Sequence, residues 1–147
     1  MDQPCPGIRP YALGAGDGWT YRLGVDFTVK AGEVRCGGGA AFLEYVTRKG
    51  EEPEDHVHGT EDEMFYVLEG AVTFRCGEES FALQNGGFVF LPRGIAHGYT
   101  ITSDAPVRLI AVTSPTREGS TGGWGGFVAD MESGEAAVVA EPQWRSR

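Results

Sequence analysis

This chain has three histidines, and they fall in two short stretches: His56 and His58 in "GEEPEDHVHGTEDEMFYVLEG", His97 in "GGFVFLPRGIAHGYTI". Side chains alternate across an extended segment, so His56 and His58 point to the same face. Glu63 follows a little further on, with Phe65 and Val67 at the same parity. If 62–68 is a strand, a carboxylate shares a face with apolar side chains. That is costly unless a cation or hydrogen bonds compensate it. His97 has an aromatic, Tyr99, at its next-but-one position. Imidazole nitrogen and carboxylate oxygen together suit Fe, Mn, Ni, Co, Cu or Zn. The plainer reading is a solvated acidic loop leading into a strand, with ordinary surface or core histidines.

The elements that must hold these residues are strands. Glycine is abundant (23 residues), prolines mark several breaks, and the apolar runs are short and often alternate, as in an all-β domain with many turns. The pattern predicts strands near 19–30, 38–47, 62–68, 71–76, 79–84, 87–91, 96–102 and 107–113. Gly77-Glu78, between two strand-like runs, predicts a hairpin turn. "GWGGFVADMES" followed by "GEAAVVA" suggests a short helix near the C-terminus, folding over one end of the sheet. The stretches of roughly 1–10 and 135–147 read as arms.

At 147 residues with 41% hydrophobic content, one domain with a real core is expected. A net charge of −9 argues against nucleic acid, whose phosphates need clustered Lys and Arg. Seven of the 21 carboxylates lie between Glu51 and Glu63. Such a run is usually a solvated face; here it also flanks two histidines, where negative potential favours a cation. No apolar run approaches a membrane span, and the start "MDQPCPGIRP" lacks the features of a signal peptide. Cys5, Cys36 and Cys76 form no paired spacing, which fits a cytoplasmic protein better than a disulfide framework.

The spacing adds more. The first stretch reads G-x5-H-x-H-x4-E-x6-G from Gly50 to Gly70, and the second G-x5-P-x-G-x2-H from Gly86 through Pro92 and Gly94 to His97. Together they resemble the two signature motifs of the cupin superfamily, in order. The second departs at Ile101, where the family usually has Asn. The flanks, "GVDFTVKAGEVRCGGGAAFLEYVTRKGEEP" upstream and "TSPTREGSTGGWGGFVADME" downstream, are similar to single-domain bacterial cupins related to quercetin 2,3-dioxygenases.

The resemblance implies an all-β, jelly-roll barrel (a double-stranded β-helix) in one cupin domain over 1–147, with its core at about 19–113 and an extension at about 114–147. It implies His56, His58, Glu63 and His97 as ligands of one divalent transition metal ion, with coordination positions left open. It further implies a quercetinase-like dioxygenase taking an enolic or phenolic small molecule and dioxygen, with Glu63 also accepting the substrate's proton. The alternatives are non-redox isomerase, cyclase or lyase chemistry on an enolisable substrate, and a ligand-binding module without catalysis. A homodimer is implied as well. Phe65, Val67, Phe74, Phe88, Phe90 and Tyr99 are expected to make the barrel apolar, Val29 to Gly39 to supply a mouth or lid, and Cys76 to pack as a small hydrophobe.

Overall fold

The structure, a computed structural model, describes residues 8–32, 40–59, 61–114, 128 and 131–142. Ten strands make up almost all of its regular structure: β1 (Trp19–Leu23), β2 (Val25–Ala31), β3 (Ala41–Thr47), β4 (Glu63–Glu69), β5 (Val72–Cys76), β6 (Glu79–Leu83), β7 (Phe88–Leu91), β8 (His97–Ile101), β9 (Val107–Thr113) and β10 (Ala137–Ala140). They form a seven-stranded sheet in the order β10-β1-β2-β3-β9-β4-β7 and a three-stranded sheet in the order β6-β5-β8. Every pairing is antiparallel, as a jelly roll requires.

Strict alternation explains how the two sheets close on each other. Along β9, Val107, Leu109, Ala111 and Thr113 are buried, and the residues between them are partly exposed. Glu63, Phe65 and Val67 do the same on β4, and Phe74, Tyr99 and Ile101 answer them from the small sheet. Phe65 packs on Phe74 with ring centroids 5.2 Å apart, and Phe74 on Tyr99 at 5.6 Å. Each such large side chain, once buried, contributes about 1.5–3 kcal/mol.

The structure corrects the sequence expectation in three places. The run 19–30 is two strands, because Gly24 adopts φ 75° and lets the chain reverse, so that Tyr21 pairs with Phe27. Residues 137–140 are a strand on β1, with Tyr21 opposite Val138, where a loose arm was expected. Phe88 and Phe90 point outward, 56% and 49% exposed, while Val89 and Leu91 take the inward positions. In contrast, Gly77 (φ 59°) opens the two-residue β5–β6 hairpin as expected.

Of the expected C-terminal helix, the described residues show Val128 and a five-residue π-type turn, Met131–Glu135, closed by Gly134 at φ 98°; the rest lies outside them. Val128 and Met131 are fully buried, and a Cβ on Gly32 would run into Glu132 and Val128. This segment therefore packs against the end of β2. Of the expected mouth, Val29 to Gly39, the first residues are the end of β2 and Gly32, and 33–39, with Cys36, lie outside the described residues. No helix among the described residues is long and apolar enough to cross a membrane.

Candidate metal centre

Main-chain bonds join the two histidine stretches. His56 and His97 exchange both of their backbone hydrogen bonds, each 2.9 Å, and the Gly94 N–H donates to the His58 carbonyl at 2.8 Å. The motif glycines Gly50, Gly70, Gly86 and Gly94 all have positive φ. At Gly94 (φ 81°) this matters directly, because that backbone turn delivers its N–H to His58. Glu63 opens β4, and His97 opens β8 opposite Cys76.

These elements bring the four expected side chains together. Glu63 Oε2 lies 2.8 Å from His97 Nε2 and 3.2 Å from His58 Nε2, and His56 Nε2 lies 3.1 Å from His58 Nε2. One ligand atom from each of the four falls within 4.8 Å of all the others. His56 Nδ1 bonds the Glu54 carbonyl at 2.7 Å, and His97 Nδ1 faces the Ile95 carbonyl at 3.3 Å. Nδ1–H donation to a carbonyl leaves the Nε2 lone pair as the one turned inward, which suits a metal ligand. Two such nitrogens, a third on His58 and one carboxylate oxygen fit a first-row divalent ion. The cluster can hold a metal ion.

Burial makes the centre one-sided. Glu63 and His97 are buried, His56 and His58 only half-buried, and Val57 between them is exposed. Access is therefore from the side of the paired histidines. On the inner side, Tyr45 and Tyr99 touch hydroxyl to hydroxyl at 3.0 Å. Burial raises the Tyr99 hydroxyl to about 12 and Tyr45 well above its ordinary range, so both stay protonated. Burial also pushes the Glu63 carboxyl upward, but hydrogen bonds and charge from His58 and His97 outweigh it and hold the group below its ordinary value. The same hydrogen bond to Glu63 raises His58, against the opposing effect of burial.

Sequence reasoning missed several supporting residues. Asp55 is held by Arg75 (2.7 Å), which also reaches Thr100, so the His56 segment is clamped to the small sheet. Asp62 holds Arg93 through both its side chain and its backbone N–H. Glu61 was read as part of a solvated acidic run, yet it is 1% exposed and neither carboxylate oxygen has a hydrogen-bond partner. Burial raises its carboxyl, with the Glu63 charge adding to the effect and His58 and Arg93 opposing it. Its parity with Glu63 was the available signal.

Residues 43–113, with both histidine stretches inside them, match the family model described as Cupin domain. The chain carries a cupin domain. An uncharacterized protein of Aquifex aeolicus (strain VF5) is 36% identical over 64 residues, covering 44% of this chain; the chain spans about half (52%) of that relative's length. Among solved structures, a predicted oxalate decarboxylase from Thermotoga maritima aligns with TM-score 0.64 at 18% identity, over 72% of this cupin and 100% of that chain. An RmlC-like cupin from Shewanella frigidimarina NCIMB 400 aligns with TM-score 0.60 at 19% identity, over 75% and 96%. At these identities the two structures establish the jelly-roll fold and nothing about chemistry.

Proposed function

We propose that this cupin is a metal-dependent enzyme, a dioxygenase acting on an enolic or phenolic small molecule. What supports the reading is the convergence of His56, His58, Glu63 and His97 in a centre buried on one side and open on the other. A divalent ion held there would act as a Lewis acid and lower the pKa of a bound hydroxyl. Glu63 would accept that hydroxyl's proton at Oε2, the atom that faces His58 and His97. Phe65, Phe74 and the Tyr45–Tyr99 pair keep water from the inner side. Both atoms of dioxygen would end in the product, so no external reductant is needed.

A second reading, non-redox isomerase, cyclase or lyase chemistry, is favoured by Glu61. A second buried carboxylate beside the first gives the site two groups able to carry a proton. The working form is proposed to be a cytoplasmic homodimer; the exposed Phe88 and Phe90 on edge strand β7 offer an apolar face for it.

The test is elemental analysis of protein purified without added metal, followed by oxygen uptake against enols, catechols and flavonols. Uptake matching substrate loss supports the dioxygenase, and product formed without uptake supports the second reading. Protein without metal and without turnover would leave only a ligand-binding module.

A further inference from the structure

Glu61 is the least explained polar residue of the described fold. The β4–β9 ladder continues beyond β4: Ser114 N–H donates to the Asp62 carbonyl (2.9 Å), and Asp62 N–H to Ser114 Oγ (3.0 Å). The chain is therefore still alternating at this point, so Asp62 turns outward to Arg93 while Glu61 and Glu63 turn inward. Thr113 stands directly opposite Glu63 in the β4–β9 register, and it too is 1% exposed with its Oγ1 unpartnered. Buried polar atoms in folded proteins nearly always have partners, and leaving them without costs stability. Here three such atoms, two on Glu61 and one on Thr113, lie on the inward face of the β4–β9 ladder that also carries Glu63. Groups kept at a cost to the fold cluster where a protein binds or reacts.

Resting on the metal-dependent reading above, we infer that Glu61 and Thr113 form a hydrogen-bonding subsite next to the metal centre, selecting a ligand that carries a second hydroxyl beside its metal-binding oxygen. A vicinal hydroxyl gives Glu61 a donor and leaves its own oxygen to Thr113 Oγ1. The subsite disfavours a second carboxylate. Among the described residues the guanidinium nearest in effect, Arg93, is committed to Asp62 at 3.1 Å. The substrate class thus narrows to catechol-like or ene-diol compounds, as against dicarboxylates.

The test uses the zinc-loaded full chain, since zinc has no redox chemistry to consume a catechol. Binding of catechol, 2-methoxyphenol and oxalate is measured by calorimetry, with zinc content determined on the same samples. Glu61→Leu is expected to keep one zinc per chain, weaken catechol about tenfold, leave 2-methoxyphenol unchanged, and bind oxalate no worse. Thr113→Val should weaken catechol by a smaller factor. The metal-free Glu61→Leu protein should melt at the same or a higher temperature, because an unpartnered buried carboxylate is gone. A carboxylate with a purely structural role predicts the opposite: a lower melting temperature or loss of fold, with catechol preference intact in Thr113→Val. Either result overturns the proposal, as does a catechol preference indifferent to both substitutions while zinc stays bound. Wild-type protein that takes up no zinc would overturn the metal-dependent reading itself, and zinc content separates that failure from the others.

Discussion

His56 and His97 are tied to each other through the backbone, N–H to carbonyl in both directions at 2.9 Å. Two candidate ligands from distant parts of the chain are thus held together by the fold itself. The Asp55–Arg75 pair braces the same segment from outside, and Gly98 makes room for it, since a Cβ there would overlap the Asp55 carboxylate. That pair is partly exposed and contributes little to stability. Its effect should fall on the metal. Gly98→Ala is expected to weaken metal affinity by about tenfold while leaving the melting temperature of the metal-free protein nearly unchanged. Titration with a competing chelator, beside thermal melts, checks this; unchanged affinity would show that the clamp does not orient His56.

The pH dependence has opposite signs in the two forms. His58 lies above its ordinary 6.5, mainly through its hydrogen bond to Glu63, so its contribution to the metal-free fold is full below about 6.5. That contribution is lost as pH rises through the raised value. Glu63 is held below its ordinary 4.5, so its contribution is present above about 4.5 and lost as pH falls through the depressed value. The pair therefore helps the metal-free protein most between those limits. A metal must displace the proton on His58, so its affinity rises with pH, and goes on rising above 6.5. Melting curves of loaded and metal-free protein across this range should draw apart as pH increases. A constant gap between them would remove His58 from the ligand set.

Ile101 tests the barrel interior. It is 1% exposed, pairs with Val72, and donates its N–H to Glu52 Oε1 at 3.0 Å. Ile101→Asp buries an unpaired charge and should cost on the order of several kcal/mol. Ile101→Asn, which buries no charge, should cost far less. Denaturant melts of the two variants decide it, and equal losses would contradict burial as the cause.

Glu63 carries two proposed jobs, and Glu63→Gln separates them. The amide keeps an oxygen donor and a similar volume but cannot take a proton. The variant should retain substantial metal yet lose turnover by about 10²-fold or more, whereas Glu63→Ala should lose metal and turnover together. Metal and activity are read on the same preparations. Wild-type activity per bound metal in Glu63→Gln would leave Glu63 a ligand only.

The clustering of His56, His58, Glu63 and His97 was legible because its information is local: fixed spacings within two short stretches, and one carboxylate in step with Phe65 and Val67. What was hidden depended on partners far along the chain. Glu61 looked solvated because acidic neighbours surround it, and its parity with Glu63 counts only because the ladder runs on past β4 through Asp62 and Ser114. In "FVFL" every residue is apolar, so alternation could not say which pair faces out. "AVVA" looked like a tail because nothing nearby in sequence reveals its pairing with β1.

That pairing has a consequence for how the molecule comes into being. β1 lies near the beginning of the described chain and β10 near its end, so their ladder closes across almost the entire sequence. On a ribosome, β1 must wait with an open edge until residue 140 has been made and released. The half with the candidate metal centre, complete by His97, emerges earlier. For that interval the exposed edge of β1 is a template for another copy of the same strand. Long-range closure of this kind is slow, so crowding during rapid synthesis is the moment of greatest hazard for this fold.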